Sequence, residues 1–248
     1  MSLKSSNTVR ASTAAVLFAI VVALGAYAIR AQGNAESRLT RIQWVDYSPT
    51  NANPDRGVEP SLDSIRADLS ALRKAGFTGI VTYTSLGMMG RPLASAAIDA
   101  GFEGMIAGVW DPANQKEISE AEEVSKSRIV LGICVGNEGL MNHRYSMAVL
   151  TRAMTEIRHA TAKLVTTSEV SQRYSSELLK LGDWVFPNAH PYFSNHFDPQ
   201  GAVDWTKSEF HRIQAEAGRV TILKEVGLPT AGNPGVGRSK RSASTMRR

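Results

Sequence analysis

Two carboxylates stand where apolar runs stop, and packing supplies no reason for either. The run Ile129-Val130-Leu131-Gly132-Ile133-Cys134-Val135-Gly136 leads into Asn137-Glu138, the pattern of a strand buried on both faces with an ionisable group at its C-terminal tip. An ionised group there costs several kcal/mol unless it is solvated or paired, so Glu138 belongs at a strand mouth. The stretch Arg219-Val220-Thr221-Ile222-Leu223-Lys224-Glu225-Val226-Gly227-Leu228-Pro229 repeats the design, with Glu225 near the end of a short apolar strand and a Gly/Pro turn behind it. Two such carboxylates on one sheet make an acid/base or an acid/nucleophile pair. For a glycosidic bond their separation decides which: about 5–5.5 Å suits a nucleophile, and about 6.5–9.5 Å leaves room for an activated water.

The elements that must position this pair alternate regularly. Ile42 to Tyr47 reads as a first strand, followed by a Pro/Asn/Gly-rich loop from Ser48 to Pro60. Ser61 is an N-cap for a helix whose Leu62, Ile65, Leu69 and Leu72 share one face, and Gly76 closes it. The unit then recurs: strand 79–85, helix 92–100, strand 102–110, acidic helix 114–125, strand 129–138, helix 145–159, strand 163–170, helix 174–181, strand 184–190, helix 203–217 and strand 220–225. Gly76, Gly101, Gly182 and Gly218 each end a helix just before a strand, the loop chemistry of a repeated βα unit. Doubly buried strands alternating with helices predict an α/β fold of the (β/α)8 TIM-barrel type, since no Gly-rich phosphate fingerprint follows any strand. Only about seven βα units are present, spanning residues 41–231, and the tail 232–248 is basic with the composition of a disordered segment.

Charge excludes one class of partner. Three of the 28 basic residues lie in residues 1–31 and five in residues 238–248, which leaves 20 basic against 23 acidic in residues 32–237. The body is mildly acidic, so no nucleic-acid partner is expected. The acidic run Glu117, Glu120, Glu122, Glu123 reads as a solvated helix face. The single Cys134 lies within the fourth strand and reads as a small buried hydrophobe. Lys4 and Arg10 precede Ala11 to Ile29, nineteen uncharged and mostly apolar residues. At about 1.5 Å each they nearly cross a hydrocarbon core of roughly 30 Å. Residues 1–31 are therefore an uncleaved membrane anchor through 11–29 or a cleaved signal peptide, joined by a linker at 32–40, and both readings export the body.

On a parallel barrel the chemistry sits at the C-terminal ends of the strands. Those ends read Asp46-Tyr47, Thr82-Tyr83, Trp110-Asp111, Asn137-Glu138, Ser168-Glu169, His190-Pro191-Tyr192 and Lys224-Glu225. Carboxylates, aromatic rings and amide or imidazole groups around one mouth are what a sugar site requires. Glu169 is the rival carboxylate, read mainly as a loop or hydrogen-bonding residue. Tyr83, Trp110 and Tyr192 either contact sugar or cap the barrel core, and His190 faces either the cleft or the core. His190 and His196 have a spacing that suits no common zinc motif, so no metal and no cofactor are expected.

From Ile42 to Pro229 the chain resembles glycoside hydrolase family 17, the β-1,3-glucanases, and in particular its bacterial membrane-anchored members. The resemblance rests on Val135-Gly136-Asn137-Glu138, Lys224-Glu225-Val226-Gly227-Leu228-Pro229, Tyr83 and Gly108-Val109-Trp110. It implies a retaining glycosidase or transglycosylase acting on β-1,3-glucan, with Glu138 as general acid/base and Glu225 as the nucleophile. It also implies that Asn137 donates to the substrate 2-hydroxyl, that Lys224 helps hold Glu225 ionised, and that Tyr47, Tyr83, Trp110, His190 and Tyr192 contact substrate. Glu138 must carry a proton before attack while Glu225 stays ionised. The partners implied are a β-glucan or its oligosaccharides and a glucan synthase pathway, with the barrel held at the inner membrane facing the periplasm or the cell exterior. Against the family's eight strands this chain shows seven, so the alternative is a truncated, non-catalytic glucan binder or a vestigial protein.

Overall fold

The computed structural model describes residue 33, residues 36–53 and residues 56–229. The expected N-terminal span at 11–29 and the basic tail at 232–248 lie outside these residues. Among the described residues no helix is long and apolar enough to cross a membrane. The chain divides into two compact units, residues 1–41 and 42–248, and residues 36–41 of the first are helical.

In the second unit, five strands pair in parallel and in sequence order: β1 (Trp44–Asp46), β2 (Gly79–Val81), β3 (Gly104–Val109), β4 (Val130–Asn137) and β5 (Leu164–Ser168). The crossover helices are α1 (Leu62–Lys74), α2 (Arg91–Asp99), α3 (Gln115–Ser125) and α4 (Met147–Thr161), followed by α5 (Ser176–Leu181) and α6 (Pro199–Ala217). Side-chain caps start most of them. Ser61 Oγ accepts the Ser64 N–H at 3.2 Å, Asn114 accepts from Lys116 and Glu117, and Asp198 accepts from Gly201 at 2.6 Å. The Asp198-Pro199 pair starts α6 four residues before the position expected from its apolar face, because Pro at the first helical turn loses no hydrogen bond.

Strands six and seven are present as isolated parallel bridges rather than as regular ladders. Val170 pairs with Asn188, Val185 with Thr221 and Ala189 with Val226. Pro187 has no N–H to contribute, although its carbonyl accepts from Lys224 N–H at 2.9 Å. The parallel order thus runs from β1 through residues 221–226, and among the described residues no strand covers the remaining edge of β1 or of 221–226. Gly76, Gly101 and Gly218 close their helices in the left-handed region as expected. Gly182 does not, having φ −87°, and Ala162 at φ 52° ends α4.

Alternation along the strands sorts the core into two layers. On one face Ile80, Met105, Ile133 and Val165 pack against Ile65, Leu69, Leu93, Ile118, Leu150 and Ile157 of the helices. The other face carries Val81, Ile106, Cys134, Trp184 and Phe186, all buried. Large rings there face glycines. A Cβ on Gly132 would lie 2.6 Å from the Trp184 ring, and one on Gly104 2.9 Å from Trp44. Trp184 is fully buried, so Trp184→Ala is expected to cost about 3–5 kcal/mol, read as a fall of roughly 10 °C in thermal midpoint.

Candidate active site

The end of β4 is bent into the mouth of the sheet. The β4–β5 register shifts between Cys134 and Asn137, a bulge that brings Asn137 opposite Ser168. Gly136 makes this turn at φ 78°, and Glu138 follows at φ 54°. A Cβ at residue 136 would sit 2.0 Å from the Tyr145 hydroxyl. Gly136→Ala is therefore expected to cost about 1–2 kcal/mol for backbone strain and about 1–3 kcal/mol for overlap, lowering the thermal midpoint and turnover together.

At this tip the groups converge. Glu138 Oε1 accepts from Asn188 Nδ2 at 2.8 Å and lies 3.1 Å from His190 Nε2. His190 Nε2 is also 3.7 Å from Glu225 Oε2. Lys224 Nζ donates to Glu225 Oε1 at 2.7 Å and to Asn137 Oδ1 at 3.2 Å, and it sits 4.0 Å above the Tyr83 ring. Because Asn137 Oδ1 also accepts from Asn188 at 3.1 Å, its amide N–H groups are left for a ligand. One donor atom each from Glu138, His190 and Glu225 lies within 4.8 Å of the others. Such a trio has the donor types of a divalent-cation site, invisible to sequence spacing because three strands supply it. Within it His190 and Glu138 are at hydrogen-bond distance, and the Lys224 ammonium is paired with Glu225.

Glu138, His190, Tyr192, Phe193 and Glu225 line a cleft of about 750 Å³. Tyr83 and Trp110, expected as substrate contacts, are not among the residues lining this cleft; Trp110 is 43 % exposed, edge-on to Tyr83 at 6.4 Å, with the Arg144 guanidinium 4.0 Å over its ring. Arg144 also donates to the Trp110 and Asn137 carbonyls, tying the ends of β3 and β4 together.

Two positions, Tyr47 and Glu117, differ from expectation. Tyr47 is not at the cleft: its ring is buried and its hydroxyl donates to Asp68 of α1 at 3.0 Å. Adjacent strand residues face opposite sides, and Asp46 is the one that points into the mouth, 3.8 Å from Lys224. Glu117 is not on a solvated face. It is 2 % exposed and accepts the Trp110 and Asp111 N–H groups at 2.8 and 3.0 Å, so it holds the end of β3. Glu169 is fully buried and accepts from Leu140 at 2.8 Å and Met141 at 3.3 Å, fastening the loop after β4 as a hydrogen-bonding residue would. Asn188 went unmarked in the sequence. Its signal was parity, two residues before His190 on the same strand face.

Electrostatics also depart from the simple scheme. Burial alone would raise Glu138, but hydrogen bonds from His190 and Asn188 and the charges of His190 and Lys224 outweigh it, holding its carboxyl below the ordinary range. Asp46 goes the other way. Burial pushes it up to about 7 against the pull of Lys224, with the Glu225 charge adding to the rise. Burial also raises the Tyr83 hydroxyl, as do the Asp46 and Glu225 charges.

Residues 45–247 match the family model described as the BtgE/BtgC glycoside hydrolase domain. The chain belongs to this glycoside hydrolase domain family. Among curated relatives, a probable glucan endo-1,3-beta-glucosidase btgC of Aspergillus clavatus is 28 % identical over 154 residues, 53 % of this chain and 22 % of that protein. The Aspergillus niger counterpart is 28 % identical over 145 residues, 50 % of this chain and 21 % of its own length. The matches thus span about a fifth of the relatives' length. The fold matches a Rhizomucor miehei β-1,3-glucanosyltransferase solved with laminaritriose, at TM-score 0.65 and 19 % identity over 77 % of this chain and 73 % of that one. It also matches an endo-laminarinase from Formosa at TM-score 0.58 and 15 % identity, over 75 % of this chain and 65 % of that one. These likenesses support a TIM-barrel-like glycoside hydrolase fold.

Proposed function

We propose that this glycoside hydrolase domain is a retaining enzyme acting on β-1,3-glucan, with Glu225 as nucleophile and Glu138 as general acid/base. The carrying observation is that carboxylate oxygens of the two lie within 4.8 Å, with His190, across the strand mouths. This supports the separation of about 5–5.5 Å of an acid and nucleophile pair over the roughly 6.5–9.5 Å of an inverting one. Glu225 attacks the anomeric carbon while Glu138 gives a proton to the leaving oxygen. Glu138 then takes a proton from water or from a sugar hydroxyl, which opens the covalent glycosyl-enzyme. Asn137 presents its amide to the sugar, and Tyr83, Trp110, His190 and Tyr192 line the substrate path. Lys224 holds one oxygen of Glu225 and so aims the other.

The β-1,3-glucan assignment draws on the relatives' printed activities and on a structural neighbour described as a family 17 β-1,3-glucanosyltransferase. The apolar run 11–29 supports an exported enzyme, either held by that run as an anchor or released after its cleavage as a signal peptide. Incubating the full chain with laminaritetraose and sizing the products tests the activity. Products longer than the substrate indicate transfer, shorter ones alone indicate hydrolysis, and binding without either supports the non-catalytic alternative.

A further inference from the structure

The proposed reaction gives Asp46 no task, yet it is the second carboxylate beside a buried cation. The Lys224 side chain is 1 % exposed, and its ammonium has two hydrogen-bond acceptors, Glu225 Oε1 and Asn137 Oδ1. Its remaining side faces the Tyr83 ring and Asp46 Oδ1, which is 3.8 Å away and buried without a hydrogen-bond partner among the described residues. Glu225 is thus the near counter-charge of Lys224 and Asp46 the far one.

We infer that Asp46 is a positioning residue that takes over the charge of Lys224 when Glu225 becomes a glycosyl ester. The inference rests on the retaining reading above. In that step a Glu225 oxygen bonds to the anomeric carbon, the glycosidic bond breaks, and the leaving oxygen departs with the proton of Glu138. Glu225 ends as a neutral ester and the negative charge passes to Glu138, which makes no ion pair with Lys224 among the described residues, so the buried ammonium loses its near counter-ion. An ionised Asp46 supplies a counter-ion on the other side of the ammonium, its proton passing to water. The groups facing Asp46 are Lys224 and Glu225 from residues 221–226, His190 after the sixth strand, Tyr83 after β2 and Cys134 of β4. With Glu225 still charged, burial and that charge hold Asp46 near neutrality of pH. Removing the Glu225 charge releases it.

Glu225→Gln carries no charge at residue 225, as the ester would not, and it needs no turnover to be informative. Following the Asp46 carboxyl by isotope-edited infrared titration of the full chain, the ionisation is expected about one pH unit or more lower in Glu225→Gln than in wild type. An unchanged or higher value overturns the inference. With a 2-fluoro-glycosyl reagent, Asp46→Asn is expected to slow labelling of Glu225 about tenfold or more, while laminaritriose affinity stays nearly constant. Equal losses in binding and labelling contradict the inference, since a merely structural role for Asp46 would lower both. Failure of the reagent to label wild-type Glu225 counts against the retaining reading, and the titration then decides the role of Asp46 by itself.

Discussion

Glu225→Ala is expected to lower turnover of laminari-oligosaccharides on the order of 10⁴-fold or more, since the covalent route disappears with the nucleophile. Its position supports more than a general loss of charge. Lys224 fixes one oxygen at 2.7 Å, and the other turns toward His190 and Glu138. Added azide fills the space left by the carboxylate and attacks from that side, so the rescued product is a glycosyl azide of inverted configuration. Rescue with retained configuration would assign Glu225 the acid/base role instead. The measurement is the initial rate with and without azide, and the configuration of the azide by NMR.

Glu138→Gln is expected to cost about 10²–10⁴-fold for sugar leaving groups and far less for an activated aryl glycoside, which departs without a proton. The pH dependence follows from the site. Two hydrogen bonds and nearby positive charge favour the ionised form of Glu138 against the opposing effect of burial, so in the free protein the proton that leaving-group departure needs is lost at lower pH than from an ordinary carboxyl. The kcat/KM value reports the free enzyme, and it is expected to fall as pH rises above the lowered value for Glu138. Asn188→Ala removes one hydrogen bond to the ionised form, so that alkaline limb is expected to move to higher pH. In Glu138→Gln the limb is expected to vanish. A limb that stays in place in both variants would remove Glu138 from the acid role.

The part of this site that could be read in sequence is the part where chemistry contradicts packing. Glu138 and Glu225 end apolar runs, and in the structure both stand at the mouth within reach of His190. Parity was less legible, because Asp46-Tyr47 reads as one strand tip while the pleat sends only Asp46 to the cleft and Tyr47 under α1. Glu117 was hidden for another reason. Its neighbours Glu120, Glu122 and Glu123 give the helix an acidic appearance, and only the loop geometry reveals that Trp110 and Asp111 offer it their N–H groups. Strands six and seven were recognised from apolar runs, but Pro187 interrupts the donors that a regular ladder would use. The lowering of Glu138 depends on Asn188 and His190 reaching it across about 50 positions of chain, which spacing alone cannot express.

The central claim is that Glu138 and Glu225 act on opposite sides of one glycosidic bond through a covalent intermediate. The most direct test is to incubate the full chain with a β-1,3-linked laminari-oligosaccharide and follow the anomeric proton of the first-formed product by NMR before mutarotation. The account predicts the β-anomer, or a β-linked transfer product. First-formed α-anomer would show single displacement by water and contradict it.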